Sequence, residues 1–442
     1  MDPCNKSALD KFDKIQSKCL RIILGAMKSS PINALQIESV DPPLYIRRQY
    51  LSDRFFLKVI HNSSHPLLEK LHYLSTIIDP SDPSQKPPCI LLSYHKFNRL
   101  PTPIAKTSCN PLFLNSFESL IFKPNIILNF GISKDSPGAR TIFLKNLSSN
   151  WHDSLHLYTD ASKLTENGEV GAAVWIPKFQ IALMHKCPPL SSTFTGESVA
   201  ILEAILFVES HNIEKSIIFT DSLSCLQAIE SNPFRSKTKF PTILKIRETL
   251  LKCKTKGLDV TLAWIPSHNG IPGNETADSC AKNAISLGSQ DHYKLYSHDL
   301  PCLARSHLLR SWSSDWQITR RKAGKFYFDV QGSIVTSPWF FKHKRLSKRV
   351  ISVISRLRLG HTSSPVHLAK IRVKDNSICE CGIDEGSADH ILFNCPNVGG
   401  SLYDHLPDNI SRPCNVKCLL SLINTPFLET LSKFIEIYKI KL

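Results

Sequence analysis

Between Leu155 and Ile285 the hydrophobic period switches repeatedly between strand-like and helix-like, and this switching is the strongest constraint on the fold. Leu155-His-Leu-Tyr-Thr-Asp160 alternates as a strand does. Val170–Trp175 and Ile181–Met184 read as two more strands, with Gly168 and Pro177 marking the turns. Glu197–Val208 places Val199, Leu202, Ile205 and Leu206 near helical spacing, and Ile217–Asp221 is a short buried strand. Ser222–Glu230 and Thr242–Cys253 are helical, Val260–Trp264 is a fifth strand, and Asn274–Ile285 is a last helix entered from Pro272-Gly273. The order β-β-β-α-β-α-α-β-α predicts an α/β domain, a mixed five-stranded sheet with flanking helices.

Acids at the ends of buried strands are unusual. Asp160 closes the first predicted strand and Asp221 the fourth. If these strands are parallel neighbours, both carboxylates fall at the sheet edge where open α/β sheets bind ligands. Glu197 lies in the first turn of the intervening helix, and Asp278 lies one turn into the last one. Four converging carboxylates need cations, and hard oxygen donors suit Mg²⁺ or Mn²⁺. Two such ions activate a water and stabilise the leaving oxygen of a phosphodiester. Taken singly, Asp221 before Ser222 also reads as a helix cap, and Asp278 as a solvated helix acid.

The chain has 442 residues, enough for two to four domains, and a net charge of +16. The charge is concentrated: Pro301–Lys374 holds sixteen Lys or Arg against Asp315 and Asp329, so 16 − 2 = +14. Such a segment suits a polyanion, because phosphate contacts release condensed counterions. No apolar stretch is long enough to span a membrane and the start lacks a signal-peptide core, so an intracellular protein of nucleus or cytoplasm is expected. Of the 14 cysteines, Cys4, Cys19, Cys89, Cys109, Cys187, Cys225, Cys253, Cys280 and Cys302 are scattered and read as thiols in a reducing compartment.

Specific motifs surround the acids. Tyr158-Thr-Asp160-Ala-Ser162 resembles the first catalytic motif of type 1 ribonucleases H, and Phe194-Thr-Gly-Glu197-Ser-Val-Ala resembles the helix carrying their catalytic Glu. Phe219-Thr-Asp221-Ser222 resembles the third motif. Trp264-Ile-Pro-Ser-His268-Asn-Gly-Ile-Pro-Gly-Asn274-Glu-Thr-Ala-Asp278 resembles the mobile His-bearing loop followed by the fourth acid. The resemblance runs in order over residues 152–285 and favours Glu197 over Glu203. It implies Asp160, Glu197, Asp221 and Asp278 as ligands of two Mg²⁺ or Mn²⁺ ions, and His268 as a group that moves protons or releases product. The implied substrate is an RNA–DNA hybrid, distinguished by its 2′-hydroxyls, for which Ser162 and Ser222 are candidate contacts.

The flanks carry further signals. Residues 9–60 read as helical, with Leu9, Phe12, Cys19, Ile22 and Ile23, then Leu51, Phe55 and Val59, at helical spacing. This stretch, including Pro43-Leu-Tyr-Ile-Arg-Arg48, resembles the segment after the polymerase core of non-long-terminal-repeat retrotransposon reverse transcriptases. No Asp-Asp dipeptide of a polymerase occurs. Cys379-x-Cys381-x₈-His390-x₄-Cys395 offers a possible Zn²⁺ set, though the single residue between the first two ligands is tight and the alternative is ordinary thiols. Cys414 and Cys418 are spare ligands. Lys342–Arg349 reads either as a nuclear localisation signal or as a phosphate contact. Trp312, Trp316, Leu357 and Leu359 are core candidates of the basic segment, and Leu419–Leu442 reads as a C-terminal helix.

The expected organisation is a helical segment over 1–75, a Pro/Ser-rich linker over 76–150 ordered in part by Phe113, Phe117 and Phe122, and a ribonuclease H-like domain over 151–290. A basic helical segment follows over 291–375, then a Cys/His knuckle over 376–400 and a helical tail over 401–442. The functional expectation is a metal-dependent hybrid endoribonuclease from a retroelement, with nucleic acid as partner and no membrane. The alternatives are a non-catalytic nucleic-acid-binding remnant and a transposase or integrase of the same fold.

Overall fold

The structure is a computed structural model describing residues 6–79, 87–100, 102–107, 110–132, 138–165, 168–235, 240–290, 293–406, 410, 414–421 and 425–442. Cys4, Cys109, Pro80, Pro83 and Pro101 lie outside the described residues. The chain forms two compact units, one of residues 52–304 and one of residues 1–51 with 305–442.

The unit of residues 52–304 is built on a sheet of six strands rather than the expected five. They are β1 (Asn125–Ile127), β2 (Leu155–Lys163), β3 (Val170–Ile176), β4 (Ile181–Cys187), β5 (Lys215–Thr220) and β6 (Asp259–Trp264). Their order is β1-β6-β5-β2-β3-β4, with β1, β6, β5 and β2 parallel and β3 and β4 antiparallel. The extra strand comes from the segment expected to be a linker. At three residues beside Pro124, β1 is too short to show an alternating period, yet it pairs Asn125–Ile127 with Thr261–Ala263. Buried Arg247 holds the chain leading into it, donating to the carbonyls of Leu120 (3.0 Å), Phe122 and Ile229. Phe143, on the helix Ala139–Asn150, is fully buried against Phe130, Tyr158 and Phe219. Of the aromatics expected to order this stretch, Phe122 packs on the main core, whereas Phe113 and Phe117 face solvent.

Helices cover both faces of the sheet. Thr193–Ser210 and Pro241–Thr255 bury Val199, Ile201, Ile205, Ile246 and Leu250, while Pro272–Leu287 buries Ala277, Ala281 and Ala284. Small residues set the closeness of these layers. A Cβ on Gly196 would lie 2.5 Å from Val170 Cγ1 and 2.9 Å from Ala161 Cβ, so only glycine lets the Glu197 helix approach β2 and β3.

The second unit has two apolar clusters. One joins the helix Lys348–Leu359 to the C-terminal helices Val416–Ser421 and Thr425–Ile437 through Val350, Ile354, Leu420, Leu428 and Phe434. The other gathers Leu20, Leu24, Leu35, Trp312, Trp316, Tyr327 and Leu359, so the expected tryptophan and leucine core is buried. The helix Lys6–Leu24 forms as expected but with a different inner face: Gln16, Ser17, Leu20 and Leu24 are buried, and Phe12, Cys19, Ile22 and Ile23 are exposed. Polar bonding decides this orientation, since Gln16 donates to Asp41 Oδ2 at 2.8 Å and accepts from Gln36 at 3.0 Å. In the other unit Leu51's neighbour Phe55 is likewise exposed, while Val59 is buried. No helix among the described residues is long and apolar enough to cross a membrane.

Candidate active site

The register of the parallel strands assembles the acids. Thr159 of β2 pairs with Thr220 of β5, so the residues that follow, Asp160 and Asp221, emerge side by side. β2 continues beyond Asp160 to Lys163, paired there with β3 alone, so the acid sits where the parallel ladder stops rather than where the strand does. Glu197 arrives from the first turns of its helix, whose start is capped by Ser192 accepting from Thr195 N at 3.2 Å. One carboxylate oxygen each of Asp160, Glu197 and Asp221 lies within 4.8 Å of the other two.

Asp278 stands outside this triplet, on the helix Pro272–Leu287, where it forms a 2.6 Å ion pair with Lys282. Its charge is nevertheless felt by Asp160 and Asp221. His268 lies in an exposed loop after β6 with φ of 52°, a left-handed conformation that costs a β-carbon residue energy. It faces Asp221 closely enough to lower that acid's pKa. Glu203 is engaged elsewhere, with His185 at 3.6 Å and with the Tyr293 hydroxyl, and is not part of the triplet. Ser162 and Ser222 stand next to the triplet on β2 and after β5.

Burial dominates the electrostatics. It raises the Asp160 carboxyl to about 7, with the charges of Asp221 and Asp278 adding to the shift. Glu197 is raised well above the usual carboxylate range, first by burial and then by Asp160 and Asp221. Asp221 is raised by burial, against the lowering effect of His268 and a hydrogen bond from Asn274. Glu197 Oε2 is buried with no hydrogen-bond partner among the described residues, an orphaned acceptor at the centre of an all-oxygen donor set. Hard divalent cations fit that set. Without metal, Asp160 binds its proton more tightly folded than unfolded. Its contribution to stability is therefore fully present below pH about 3.8 and lost as the pH rises through about 7. Melts in a chelator should show Tm falling across that interval more steeply in the wild type than in Asp160→Asn. Parallel curves would contradict the buried, proton-sharing site.

Two supporting residues lie outside the expected ligand set. Asn274, inside the loop motif and buried at the start of the last helix, offsets part of the burial-driven rise of Asp221. Asp299 lies beyond the expected domain end at residue 290, yet it is buried and accepts from Ser192 N (3.0 Å), Ser192 Oγ (2.7 Å) and Thr195 Oγ1 (2.6 Å). It thereby braces the start of the Glu197 helix from a part of the chain that no local pattern connects to it. Asp299→Ala leaves three donors unsatisfied and should cost about 1–3 kcal/mol, read as a lower Tm. An unchanged Tm would show the brace to be dispensable.

The other expected site is also brought together. Ligand atoms of Cys379, Cys381, His390 and Cys395 lie within 4.8 Å of one another. Cys379 and Cys395 sulfurs are 3.6 Å apart, and Cys381 Sγ is 3.3 Å from His390 Nε2. A tetrahedron with arms of about 2.3 Å has edges of roughly 3.8 Å, so the spacing suits four-coordinate zinc. The tight Cys-x-Cys closes because the chain turns at once: Gly382 N donates to Cys379 O at 2.9 Å and Cys379 N to Asp384 O at 2.9 Å. Asp384 Oδ2 stands 3.9 Å from His390 Nδ1, where it can orient the ring. A hydrogen bond from the Ile383 backbone lowers Cys381 to about 7, while burial raises Cys395 to about 11. Cys414 and Cys418 are not part of this group.

A mixed sheet with acids where the ladder of two adjacent parallel strands stops and on two covering helices defines a ribonuclease H-like domain. Residues 152–286 match the RNase H family. The chain is similar to Ribonuclease H1 of Mus musculus and of Rattus norvegicus, each 28% identical over 149 aligned positions, the match covering 31% of this chain and 52% of the relative. Ribonuclease H1 of Homo sapiens is 27% identical over 142 residues, 29% of this chain and 49% of the relative. The chain thus spans about half the length of the curated relatives it matches, and it carries an RNase H domain within a larger, different framework.

Proposed function

We propose that the protein is an endoribonuclease that cleaves the RNA strand of RNA–DNA hybrids. The observation that carries this reading is the meeting of Asp160, Glu197 and Asp221 where the parallel β2–β5 ladder stops and the Glu197 helix starts, inside the stretch that matches the RNase H family. Asp160, Glu197 and Asp221 would hold two Mg²⁺ or Mn²⁺ ions, with Asp278, now paired with Lys282, as the further acid of the set. When bound, such ions supply an activated water and stabilise the leaving oxygen. Asn274 orients Asp221, and His268, on its exposed loop, moves the proton that accompanies strand release. Retention of all four acids and His268 favours an enzyme over a non-catalytic remnant. The succession of helical segment, RNase H domain, basic segment and Cys/His segment supports an origin in a retroelement polyprotein, and the Cys/His group is read as a structural zinc site.

The test is cleavage of a hybrid labelled on its RNA strand by the full chain, with Mg²⁺ and with chelator, beside RNA–RNA and DNA–DNA duplexes. Cutting confined to the hybrid's RNA supports the reading, and an intact hybrid at high enzyme concentration overturns it. His268→Ala should slow turnover on the order of 10²-fold, the low end for a positioned proton-transfer group. Undiminished turnover would remove His268 from the reaction.

A further inference from the structure

The second unit contains a cavity of about 530 Å³, within the range of small-ligand sites. Its floor is the buried pair Glu38–Arg358, with Arg358 Nε 2.9 Å from Glu38 Oε2. Tyr327 OH and Trp339 Nε1 donate to the same carboxylate, each at 2.7 Å, and Arg358 also donates to Leu420 O at 2.7 Å. The floor is therefore neutral and internally satisfied, and it fixes two aromatic rings in the wall. The rim is different in character, carrying Gln331, Thr336, Lys342 and His343.

The rim continues into a surface whose composition is unlike the rest of the unit. Trp339–Lys342 is a short 3-10 turn behind Pro338, with the Trp339, Phe340 and Phe341 rings packed edge to face at 5.4 Å intervals. Phe340 packs toward one core cluster and Trp339 toward the other, but Phe341 is 63% exposed. Lys342, Lys344, Arg345, Lys348 and Arg349 follow, all exposed, with no acid between Pro338 and Arg349. The ion pairs Arg47–Asp41, Arg358–Glu38, His390–Asp384 and Lys417–Asp329 of this unit do not involve Lys342, Lys344 or Arg345. A single exposed ring is ordinary. An exposed ring packed on Phe340, between the cavity-lining residues Trp339 and Lys342 and among unpaired cations, matches the requirements of an unstacked base and its phosphates. A duplex hides its base faces and uses only the cations, so the combination favours single strands.

We propose that this cavity and the Pro338–Arg349 surface bind single-stranded nucleic acid, one unpaired base entering the cavity, the next stacking on Phe341, and the flanking phosphates lying on Lys342, Lys344 and Arg345. This site is separate from the carboxylates and independent of the hybrid-cleaving reading. It would hold an unpaired stretch of strand, which a cleavage site for duplex hybrids does not require.

The test is fluorescence anisotropy of the full chain with a labelled oligodeoxythymidylate, a blunt DNA duplex of equal length, and an abasic strand of equal charge. DNA ligands keep the outcome independent of RNA cleavage. The single strand should bind at least about ten-fold more tightly than the abasic strand, the effect of one lost base–aromatic stack. Phe341→Ala, at an exposed position, should cut that preference several-fold, leaving the share of the base in the cavity, with duplex binding within two-fold. Lys344→Ala with Arg345→Ala should weaken both ligands and flatten the salt dependence by roughly 1.4 in log–log slope, for two phosphate contacts on a single strand. Equal affinity for thymidylate and abasic strands, or a Phe341→Ala protein that keeps the whole preference, overturns the proposal.

Discussion

Asp160→Asn should reduce cleavage of the hybrid's RNA strand by roughly 10⁴-fold or more while hybrid affinity stays within a few-fold. Of the three clustered acids Asp160 alone lies within a strand, β2, and its carboxyl is buried beside Glu197 and Asp221. Losing its charge removes a hard oxygen donor and unbalances the remaining set. Metal-borne charge stabilisation is worth several kcal/mol, and each 1.36 kcal/mol is tenfold in rate. The amide preserves shape and still accepts from Ala161 N, a bond of 2.7 Å in the native site, so the strand pairing should persist. Single-turnover cleavage measures the first effect and hybrid binding in Ca²⁺ the second. A variant that cuts at a tenth of the native rate would refute the assignment, and one that no longer binds hybrid would point to misfolding instead.

Removal of zinc should have the second largest effect. Cys379, Cys381, His390 and Cys395 come from a hairpin-like turn and a short helical stretch that share little else. Structural zinc sites of this kind contribute about 10–16 kcal/mol of apparent binding free energy near neutral pH, so binding and local folding are one event. Cys395→Ser should lower the zinc content of purified protein from one equivalent to well below it. It should also speed proteolysis between residues 376 and 400, with hybrid cleavage retained. Native mass spectrometry and limited proteolysis read the two outcomes. A native protein free of zinc, or a Cys395→Ser protein that keeps a full equivalent, would leave the cluster as ordinary thiols.

The sequence makes the central sheet legible because each of its five long strands carries its own period and each acid its own motif. It places Asp160 and Asp221 at a common edge through one inference, parallel pairing of β2 and β5, which the register bears out. What escapes are features made by distant pairing. β1 has three residues and no period of its own, and it becomes a strand only because β6 offers it partners. Asp299 looks like any acid ahead of a basic helix until the fold sets it against Ser192 and Thr195. The inner face of Lys6–Leu24 is misread for the same reason, because an apolar stripe reports what could be buried, while Gln16 and its partners decide what is. The sequence groups Asp278 with the other acids but does not show its present engagement, the i, i+4 pair with Lys282 that leaves it outside the triplet.

The short strand β1 bears on where the RNase H domain can be cut free of its surroundings. It occupies the outer edge of β6, and without it that interior strand would offer a row of unpaired N–H and C=O groups to any neighbouring chain. At the opposite limit, the family match ends at residue 286, before the Asp299 brace. A fragment trimmed to the matched stretch would therefore begin with a sticky flank and finish with a loosened Glu197 helix. It would tend to self-associate and lose activity for reasons unrelated to its chemistry. A fragment that keeps both the β1 edge and the Asp299 brace has to start ahead of Asn125 and run past Asp299.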